Sequence, residues 1–251
     1  MTNPISHEQA MRYNRHIVLP QIDIDGQEHL LNARVLIIGM GGLGCSAAQL
    51  LASSGVGALT LVDNDSVEVT NLPRQILFGE ADVGRFKVSA AKESLIRLNS
   101  ECHVDTIKSR LASDNLAREV SAHDIVIDCT DNLASRLEIN KACAATKTPL
   151  VSGAAIRFEG QLFVTCYAPD SPCYACVGAL TGNRTLSCTE SGIFAPVVAI
   201  IGAHQALLAM QVIAGIGQPL TGSLQLFDGL SGQWQQFQVP RRPDCPVCQN
   251  K

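Results

Sequence analysis

A glycine-rich segment between two apolar stretches constrains this chain more than any other feature. Residues 34–38 (RVLII) form a β-branched apolar run with the length of a buried parallel strand. The segment GMGGLG at residues 39–44 follows, and residues 45–54 then favour a helix. A second apolar strand over residues 58–62 leads directly to Asp63. This order of elements predicts a βαβ unit that binds a nucleotide.

Each part of this unit has a physical role in nucleotide binding. Glycines let the backbone turn tightly and approach a phosphate, and the start of a helix offers free N–H groups and a positive dipole. A carboxylate at the end of the second strand accepts hydrogen bonds from ribose hydroxyls. We therefore expect Gly39, Gly41, Gly42, Gly44 and Asp63 at the site. A tight turn without a ligand is the alternative, and this stretch alone does not identify the nucleotide.

Strand-like and helix-like segments continue to alternate as far as Gly153. Helices are predicted over residues 85–98, 115–120 and 133–146, and strands over residues 102–107, 124–129 and 149–152. Such alternation predicts an α/β fold with a doubly wound, Rossmann-like, mostly parallel sheet that binds ligands at the carboxyl ends of its strands.

The pattern changes in the C-terminal part of the chain. Residues 161–167, 223–227 and 234–239 are typical of antiparallel strands. We expect one domain over residues 1–251. It would comprise a helical lead-in (1–33), a nucleotide-binding part (34–153) and a C-terminal part (154–251).

Charge and cysteine content exclude some functional classes. The net charge of −4 and the pI near 5.8 give no support for nucleic-acid binding, which usually requires a basic surface. Residues 1–19 contain Glu8, Arg12 and Arg15 and no continuous apolar stretch, so we expect no export signal. Ten cysteines in such a chain indicate the reducing cytoplasm, where metal binding or catalysis is more frequent than disulfide formation.

One segment is unusually poor in charge. Residues 191–227 contain no Asp, Glu, Lys or Arg, and residues 193–217 are long enough to span a bilayer. Pro196, His204 and Gln205 argue against a membrane span, so we expect a helix buried in the core or in a subunit interface. Charged residues make up 17% of the chain against a typical value of about 25%, which favours a homodimer.

Two pairs of cysteines share the same spacing. Two residues separate Cys173 from Cys176, and two residues separate Cys245 from Cys248. If the fold brings the pairs together, they form a tetrahedral four-thiolate zinc site, here a zinc knuckle that holds the C-terminal tail. The site would be structural, because four thiolates leave no open position for a substrate. Two unrelated pairs or a redox dithiol are the alternatives.

A set of polar side chains is predicted at strand ends: Asp63, Asp65, Asn71, Arg74, Lys87 and Asp131. A nicotinamide site in an oxidoreductase needs the glycines and one acid, but no cluster of cations. A nucleoside triphosphate needs cations for its phosphates and a carboxylate for Mg²⁺. The set therefore favours ATP with magnesium. Taken singly, Arg74 and Lys87 would be interpreted as solvated surface residues.

Together these motifs resemble those of the bacterial relatives of ubiquitin-activating enzymes. The resemblance rests on residues 39–44, 63–65, 71–75 and 128–132, on Lys87, on the paired cysteines and on residues 12–15 (RYNR), and it covers essentially the whole chain. Members of that family adenylate the C-terminal glycine of a small ubiquitin-fold sulfur-carrier protein. The resemblance implies that this chain is an adenylyltransferase with ATP and Mg²⁺ as substrate and the carrier as partner. The C-terminal part (154–251) would bind the carrier protein and zinc.

The resemblance also implies a role for individual residues. Gly42 would contact the phosphates, Asp63 the ribose, and Asn71, Arg74 and Lys87 the triphosphate. Asp131 would be the magnesium ligand, and Arg15 would enter the site of the neighbouring subunit. The implied nucleotide-binding set also includes Gly39, Gly41, Gly44, Asp65, Thr70, Gln75 and Asn132.

Cys188 corresponds to a loop cysteine that takes up the activated carrier covalently in some family members. An idle exposed cysteine is the alternative. The remaining cysteines, except the undecided Cys102, fall in predicted helices or strands and are expected to be small core residues: Cys45, Cys129, Cys143 and Cys166.

Two branches of the family compete as the closer match. Residues 151–161 (VSGAAIRFEGQ) resemble the molybdopterin branch, whereas residues 226–229 (LFDG) and 233–234 (QW) resemble the thiamine branch. We expect the small subunit of molybdopterin synthase as the carrier, in molybdenum cofactor biosynthesis, with the thiamine-pathway carrier as the alternative. Pro73 departs from the glutamine usual in the family and cannot supply a backbone N–H.

Overall fold

The computed structural model describes residues 4–181 and 192–249 of the chain. Its helices are α1 (His7–Arg12), α2 (Asn14–Ile17), α3 (Asp23–Asn32), α4 (Gly42–Ser53), α5 (Lys87–Leu98), α6 (Ser113–Ser121), α7 (Leu133–Thr146), α8 (Tyr174–Thr181) and α9 (Ala195–Ala214). Its strands are β1 (Arg34–Ile38), β2 (Ala58–Val62), β3 (His103–Ile107), β4 (Ile125–Asp128), β5 (Leu150–Ile156), β6 (Glu159–Thr165), β7 (Ser223–Asp228) and β8 (Gln233–Gln238).

The strands form one eight-stranded sheet in the order β3-β2-β1-β4-β5-β6-β7-β8. The strands from β3 to β5 in this order are parallel, and β6, β7 and β8 pair antiparallel. The chain proceeds outward from β1 through β2 to β3 and then returns to the other side of β1 with β4. This reversal opens a crevice at the carboxyl ends of β1 and β4, where ligands bind in such folds. The predicted α/β architecture is confirmed.

Helices cover both faces of the parallel strands, which explains their continuous apolar sequences. In β1, Val35 and Ile37 join an apolar cluster with α4, α5 and α9, whereas Leu36 joins a second cluster with α6, α7 and α8. All three side chains are fully buried. Because each contributes about 2 kcal/mol through burial, a polar residue in this strand would be strongly destabilising.

Helix α9 accounts for most of the charge-poor segment. It packs against α3, α4 and strands β4 to β6. The helix is long and apolar enough to cross a membrane, yet half of its most apolar window is buried inside the protein. The buried Gln205 donates from Nε2 to the carbonyl of Asp128 at 2.8 Å, which joins the helix to the end of β4. The structure therefore places this segment in the core, with Ile200 and Leu207 left exposed.

Several element boundaries differ from those predicted. Helix α4 begins at Gly42 rather than at residue 45, because the low helix propensity of glycine hides its first turn in the sequence. Strand β5 continues through Gly153, where the change of pattern was expected, because its second half pairs with β6. The predicted helical lead-in contains three helices, with a break at Tyr13 between α1 and α2. Helix α8 was not predicted, since its residues are mostly apolar without a helical period.

Candidate active site

A cleft of about 570 Å³ opens at the carboxyl ends of β1, β2 and β4. Most of the residues predicted for the nucleotide site line it: Gly39, Gly41, Gly42, Asp63, Asp65, Asn71, Arg74, Gln75, Lys87, Asp131 and Asn132. Three predicted residues do not line it: Gly44, Thr70 and Arg15. The fold therefore brings into one crevice side chains that lie up to about ninety positions apart in the sequence.

The turn after β1 depends on two glycines that pack against each other. Gly39 has φ +95°, a conformation that other residues rarely adopt. A Cβ atom on Gly44 would lie 2.0 Å from the carbonyl oxygen of Gly39, so only glycine fits there. Gly44, which was predicted at the nucleotide site, allows the close approach of α4 to the turn.

The next two glycines border the cleft itself. A Cβ atom on Gly42 would collide with Val198 of α9 and with the backbone of Arg74, so its Cα must pack directly against protein. Its N–H begins α4 and has no partner within the helix. A Cβ atom on Gly41 would find only Nε2 of Gln75 at 4.0 Å and would otherwise enter the cleft. The arrangement offers N–H groups and the positive end of α4 to an anion.

Asp63 joins the loop after β1 to the loop after β2. Its Oδ2 accepts a hydrogen bond from the N–H of Met40 at 2.7 Å, and its Oδ1 accepts one from the N–H of Asp65 at 2.8 Å. Burial raises the pKa of Asp63 above its ordinary value, while these hydrogen bonds and the nearby Lys87 oppose the shift. The carboxylate is therefore held rigidly at the base of the cleft.

Lys87, the first residue of α5, is oriented by Asp65. Its Nζ lies 2.9 Å from Oδ2 of Asp65, and its N–H donates to the carbonyl of Asp65 at 3.0 Å. Only 9% of the Lys87 side chain is exposed, against 60% for Asp65. Since the carboxylate is largely hydrated, the pair fixes the direction of the lysine more than it neutralises its charge. The ammonium group is thereby held at the cleft wall.

A one-turn 3₁₀ segment, Val69–Asn71, supports the second cation of the cleft. Nη1 of Arg74 donates to the carbonyl of Thr70 at 2.8 Å. Thr70 is exposed and lies outside the cleft, so its visible role is to orient Arg74 through the backbone. Oδ1 of the buried Asn71 accepts the N–H of Glu68 at 3.2 Å. Pro73 is exposed and also lies off the cleft wall.

Gln75 has an unpaired acceptor beside the glycine turn. The residue is 2% exposed, and its Oε1 is the one buried side-chain oxygen or nitrogen in residues 4–181 and 192–249 without a hydrogen-bond partner. Such a group costs about 1–3 kcal/mol of stability. Buried polar atoms without a partner are rare in native proteins. The unpaired amide oxygen on the wall of the cleft therefore supports a role in ligand binding.

The loop after β4 carries Asp131 into the cleft. Asp128 is fully buried, and its Oδ1 accepts from the N–H and hydroxyl of Thr130 at 3.0 and 2.7 Å. Burial raises the pKa of Asp128. Asn132 caps α7 by accepting the N–H of Ser135 at 2.9 Å. Between these fixed points, Asp131 is exposed on the cleft wall, where a carboxylate suits a hard cation such as Mg²⁺.

The apolar end of the cleft was not predicted from the sequence. Leu111, Leu116 and Ile139 lie there, and Arg110 and Glu138 approach to 3.5 Å across its rim. This surface fits a flat, weakly polar group such as a nucleotide base. One signal was available, since residues 108–112 follow the predicted strand β3 and belong at the same edge of the sheet.

The four paired cysteines meet at a separate, buried site. The Sγ atoms of Cys173 and Cys245 are 3.7 Å apart, as are those of Cys176 and Cys248, and all four lie within 4.8 Å of one another. Tetrahedral Zn–S bonds of about 2.3 Å require sulfur separations of roughly 3.8 Å. Nδ2 of Asn140 also donates to Sγ of Cys173 at 3.6 Å, a typical outer contact of a metal ligand. These residues fit a structural zinc ion.

The other described cysteines have features of inert thiols. Four of them are buried: Cys45, Cys102, Cys129 and Cys143. Burial raises the pKa of Cys45 to about 12 and that of Cys102 to about 11, which suppresses the reactive thiolate. Cys166 is half-buried, and burial raises its pKa as well. Cys188 lies outside the residues that the structure describes.

Comparison with known sequences gives a family match and full-length relatives. Residues 13–247 match the ThiF family. The chain is 46% identical over 244 residues to the molybdopterin-synthase adenylyltransferase of Escherichia coli (strain K12), across 97% of this chain and 98% of that protein. It is 44% identical over 238 residues to the sulfur carrier protein ThiS adenylyltransferase of the same organism, across 95% and 94% of the two chains.

Solved structures of the Escherichia coli protein MccB share the fold. The structure of MccB with ATP superposes with a TM-score of 0.76 at 27% identity, covering 90% of this chain and 67% of that one. The structure of MccB with AMPCPP and the selenomethionine form of MccA gives a TM-score of 0.79 at 28% identity, covering 90% and 69%. The mixed parallel and antiparallel sheet therefore has experimental counterparts.

Proposed function

The chain belongs to the ThiF family, and from that membership we propose that it adenylates the C-terminal glycine of a small ubiquitin-fold sulfur-carrier protein. The carrier we propose is the small subunit of molybdopterin synthase, in molybdenum cofactor biosynthesis. Three relatives named for molybdopterin synthase are 43–46% identical over nearly the full length. The thiamine-pathway carrier is the second candidate, because the relative named for ThiS is 44% identical.

One observation carries the proposal. Two cations, Arg74 and Lys87, line the same cleft as the start of α4 and the carboxylates of Asp63 and Asp131. A nicotinamide dinucleotide would use the glycines and Asp63 but would leave the remaining charges without a role. A triphosphate with its magnesium ion uses all of them, because catalysis of nucleotidyl transfer consists mainly of positioning and charge neutralisation.

The reaction transfers AMP to the carrier. An oxygen of the terminal carboxylate attacks the α-phosphorus of ATP, the bond from that phosphorus to the bridging oxygen breaks, and pyrophosphate leaves with the electron pair. The carboxylate is already ionised near pH 7, so no side-chain base is needed. What the enzyme supplies is a site whose charges and donors are arranged before the substrates arrive.

Each part of the cleft has a proposed task in this reaction. Asp63 binds the ribose, and Asn71, Arg74 and Lys87 hold and neutralise the phosphates. The first N–H groups of α4, beginning at Gly42, bind phosphate oxygens. Magnesium enters with ATP, and Asp131 is the carboxylate we propose as its protein ligand. A further set completes the nucleotide site: Gly39, Gly41, Asp65, Gln75 and Asn132.

The four-cysteine cluster has a structural task in this proposal. Zinc bound by Cys173, Cys176, Cys245 and Cys248 would join α8 to the C-terminal tail. None of the nine cysteines in residues 4–181 and 192–249 forms a disulfide. We propose a cytoplasmic location on that basis, since four reduced thiolates persist best in a reducing compartment.

We also propose that the enzyme is a homodimer and that Arg15 acts in the partner's site. Arg15 is exposed on α2, away from the cleft of its own chain. Met11 and Val18 flank it with side chains 66% and 61% exposed, and the adjacent end of α5 exposes Leu98. Large apolar side chains around a free cation are typical of an interface that positions a charged group. The continuous sheet supports treating residues 1–251 as a single functional domain.

ATP–pyrophosphate exchange in the presence of each purified candidate carrier tests the function. We expect exchange with the molybdopterin-synthase small subunit and much less with the thiamine-pathway carrier. Exchange with the thiamine-pathway carrier alone would transfer the assignment to the second candidate. Absence of exchange with both, together with tight binding of NADH in a fluorescence titration, would instead support an oxidoreductase.

A further inference from the structure

The loop that presents Asp131 is held from two opposite sides. On one side, the buried Asp128 accepts from the N–H and hydroxyl of Thr130 and is itself anchored by the hydroxyl of Ser152 at 2.9 Å. On the other side, Arg136 donates from Nε and Nη2 to the carbonyl of Thr130 at 3.1 and 2.5 Å. The peptide groups that precede Asp131 are therefore oriented by an acid and a guanidinium together.

Arg136 has no ion-pair partner within 4 Å in the described part of the chain. Burial alone would lower the pKa of Arg136, but the neighbouring Tyr174 and Asp128 raise it overall, so the guanidinium stays charged. A partly buried cation that donates two hydrogen bonds to one neutral carbonyl fixes that carbonyl strongly, because charge-assisted bonds are stronger than neutral ones.

The remaining guanidinium nitrogen of Arg136, Nη1, lies near the cysteine cluster. Nη1 of Arg136 lies 3.4 Å from the hydroxyl of Tyr174, which sits between Cys173 and Cys176 in the sequence. Oδ1 of Asn140 accepts the N–H of Tyr174 at 2.9 Å, while Nδ2 of Asn140 donates to the sulfur of Cys173. Arg136 and Asn140 are one turn apart on α7, so a single helix face contacts both sites.

We propose that Arg136 is a positioning residue for adenylation. It sets the direction of the Asp131 carboxylate through the Thr130 carbonyl, and Tyr174 beside the cysteine cluster holds it in place. This inference rests on the proposed function, in which Asp131 binds the magnesium of the substrate. The cysteine cluster would then have a second role. Tyr174 and α7, which pack beside Cys173, would also order the loop that carries Asp131.

The test compares Arg136→Lys and Tyr174→Phe with wild-type enzyme. Lysine keeps the charge but cannot reach the carbonyl with two N–H groups, and phenylalanine removes only the hydroxyl from a ring that packs edge-on against Phe163. Lys141→Met is the matched control, because Lys141 is exposed on the same helix. The primary readout is the Mg²⁺ concentration that half-saturates binding of a fluorescent ATP analogue, measured without carrier. Zinc content and thermal unfolding are recorded for each variant.

We expect Arg136→Lys to raise the half-saturating Mg²⁺ concentration about tenfold and to lower the exchange rate by roughly 10²-fold, as supporting residues around metal ligands commonly do. Tyr174→Phe should raise the Mg²⁺ requirement about threefold, and Lys141→Met should leave it unchanged. Zinc content should stay at the wild-type value in all three variants.

An unchanged Mg²⁺ requirement in folded Arg136→Lys and Tyr174→Phe would overturn the inference, even if thermal stability fell, because the role would then be merely structural. If Arg136→Lys does not fold, Tyr174→Phe alone decides. A wild-type enzyme without exchange activity would count against the proposed function instead, and the binding measurement keeps the two failures apart.

Discussion

The nucleotide cleft and the cysteine cluster differ in the exposure of their functional groups. In the cleft, Asp65 and Asp131 are exposed and Lys87 ends at the wall, so charged groups face space that a substrate can enter. In the cluster, all four thiols are buried, and their sulfur atoms lie within 4.8 Å of one another. Exposed charged groups suit catalysis on a substrate, whereas enclosed thiols suit a structural metal site.

The two regions also differ in how the chain assembles them. The cleft collects residues that follow neighbouring parallel strands and residues at the starts of α4 and α5. The cluster joins α8 to a C-terminal tail without regular secondary structure, across 72 positions of sequence. Substitutions in the cleft should therefore change activity at constant stability, and substitutions in the cluster should change stability first.

We expect Asp131→Ala to separate activity from stability most clearly. Its carboxylate is exposed and makes few contacts, so the fold should be unchanged, while adenylation should fall by more than about 10³-fold through loss of the proposed magnesium ligand. Exchange kinetics, thermal unfolding and zinc content measured together check this. Asp114→Ala, which removes an exposed acid from α6, is the control. Wild-type exchange in the Asp131 variant would remove that residue from the catalytic set.

A mixing experiment extends the comparison to the proposed dimer. Arg15→Ala and Lys87→Ala should each reduce exchange by about 10³-fold, as loss of a cation at a transferring phosphoryl group does. Heterodimers of the two variants should regain activity at one site, because that site receives Arg15 and Lys87 from intact chains. Native mass spectrometry would verify the heterodimers. No recovery in proven heterodimers would show that Arg15 does not act in trans.

Substitutions in the cysteine cluster should instead reduce zinc binding and stability. Cys245→Ser should abolish stoichiometric zinc binding and destabilise the C-terminal part by about 3 kcal/mol, which corresponds to a lower Tm by roughly 6–12 °C in a chain of this size. Elemental analysis and calorimetry measure the two effects. Cys166→Ser, a half-buried cysteine outside the cluster, should retain both zinc and stability. Zinc-free wild-type protein after gentle purification would contradict the metal assignment.

The smallest expected effect is a pH dependence of nucleotide binding in the cleft. Burial raises the pKa of Asp63, and only the ionised carboxylate accepts both ribose hydroxyls. Affinity should therefore fall as the pH decreases through this raised pKa, beginning at a higher pH than for an exposed aspartate. Titrations of an ATP analogue between about pH 7 and pH 4 check this. Asp63→Asn should bind several-fold more weakly at pH 7 and lose that pH-dependent component.

Local sequence was sufficient for the first βαβ unit. The apolar strand, the glycines and Asp63 are adjacent in the chain, so periodicity and composition identified both the element order and the base of the cleft. Arg74, Lys87 and Asp131 were found by one further rule, that residues following parallel strands meet at one edge of the sheet. The spacing of the cysteines also indicated a common site before any contact between the pairs was known.

Other features were decided by contacts between distant segments. Gly44 packs against Gly39, and Thr70 supports Arg74 from outside the cleft. The apolar end of the cleft and the contacts of Arg136 involve residues that carry no motif of their own.

The chain by itself therefore determined the type of fold and the chemical groups of the nucleotide site, because a strand, a glycine turn and a following acid are local properties. Only the tertiary structure decided which of those groups face the cleft, which support them, and how α7 connects the cleft with the thiols. The reason is physical. Orientation and burial depend on atoms supplied by the whole fold, and neighbours in sequence do not specify them.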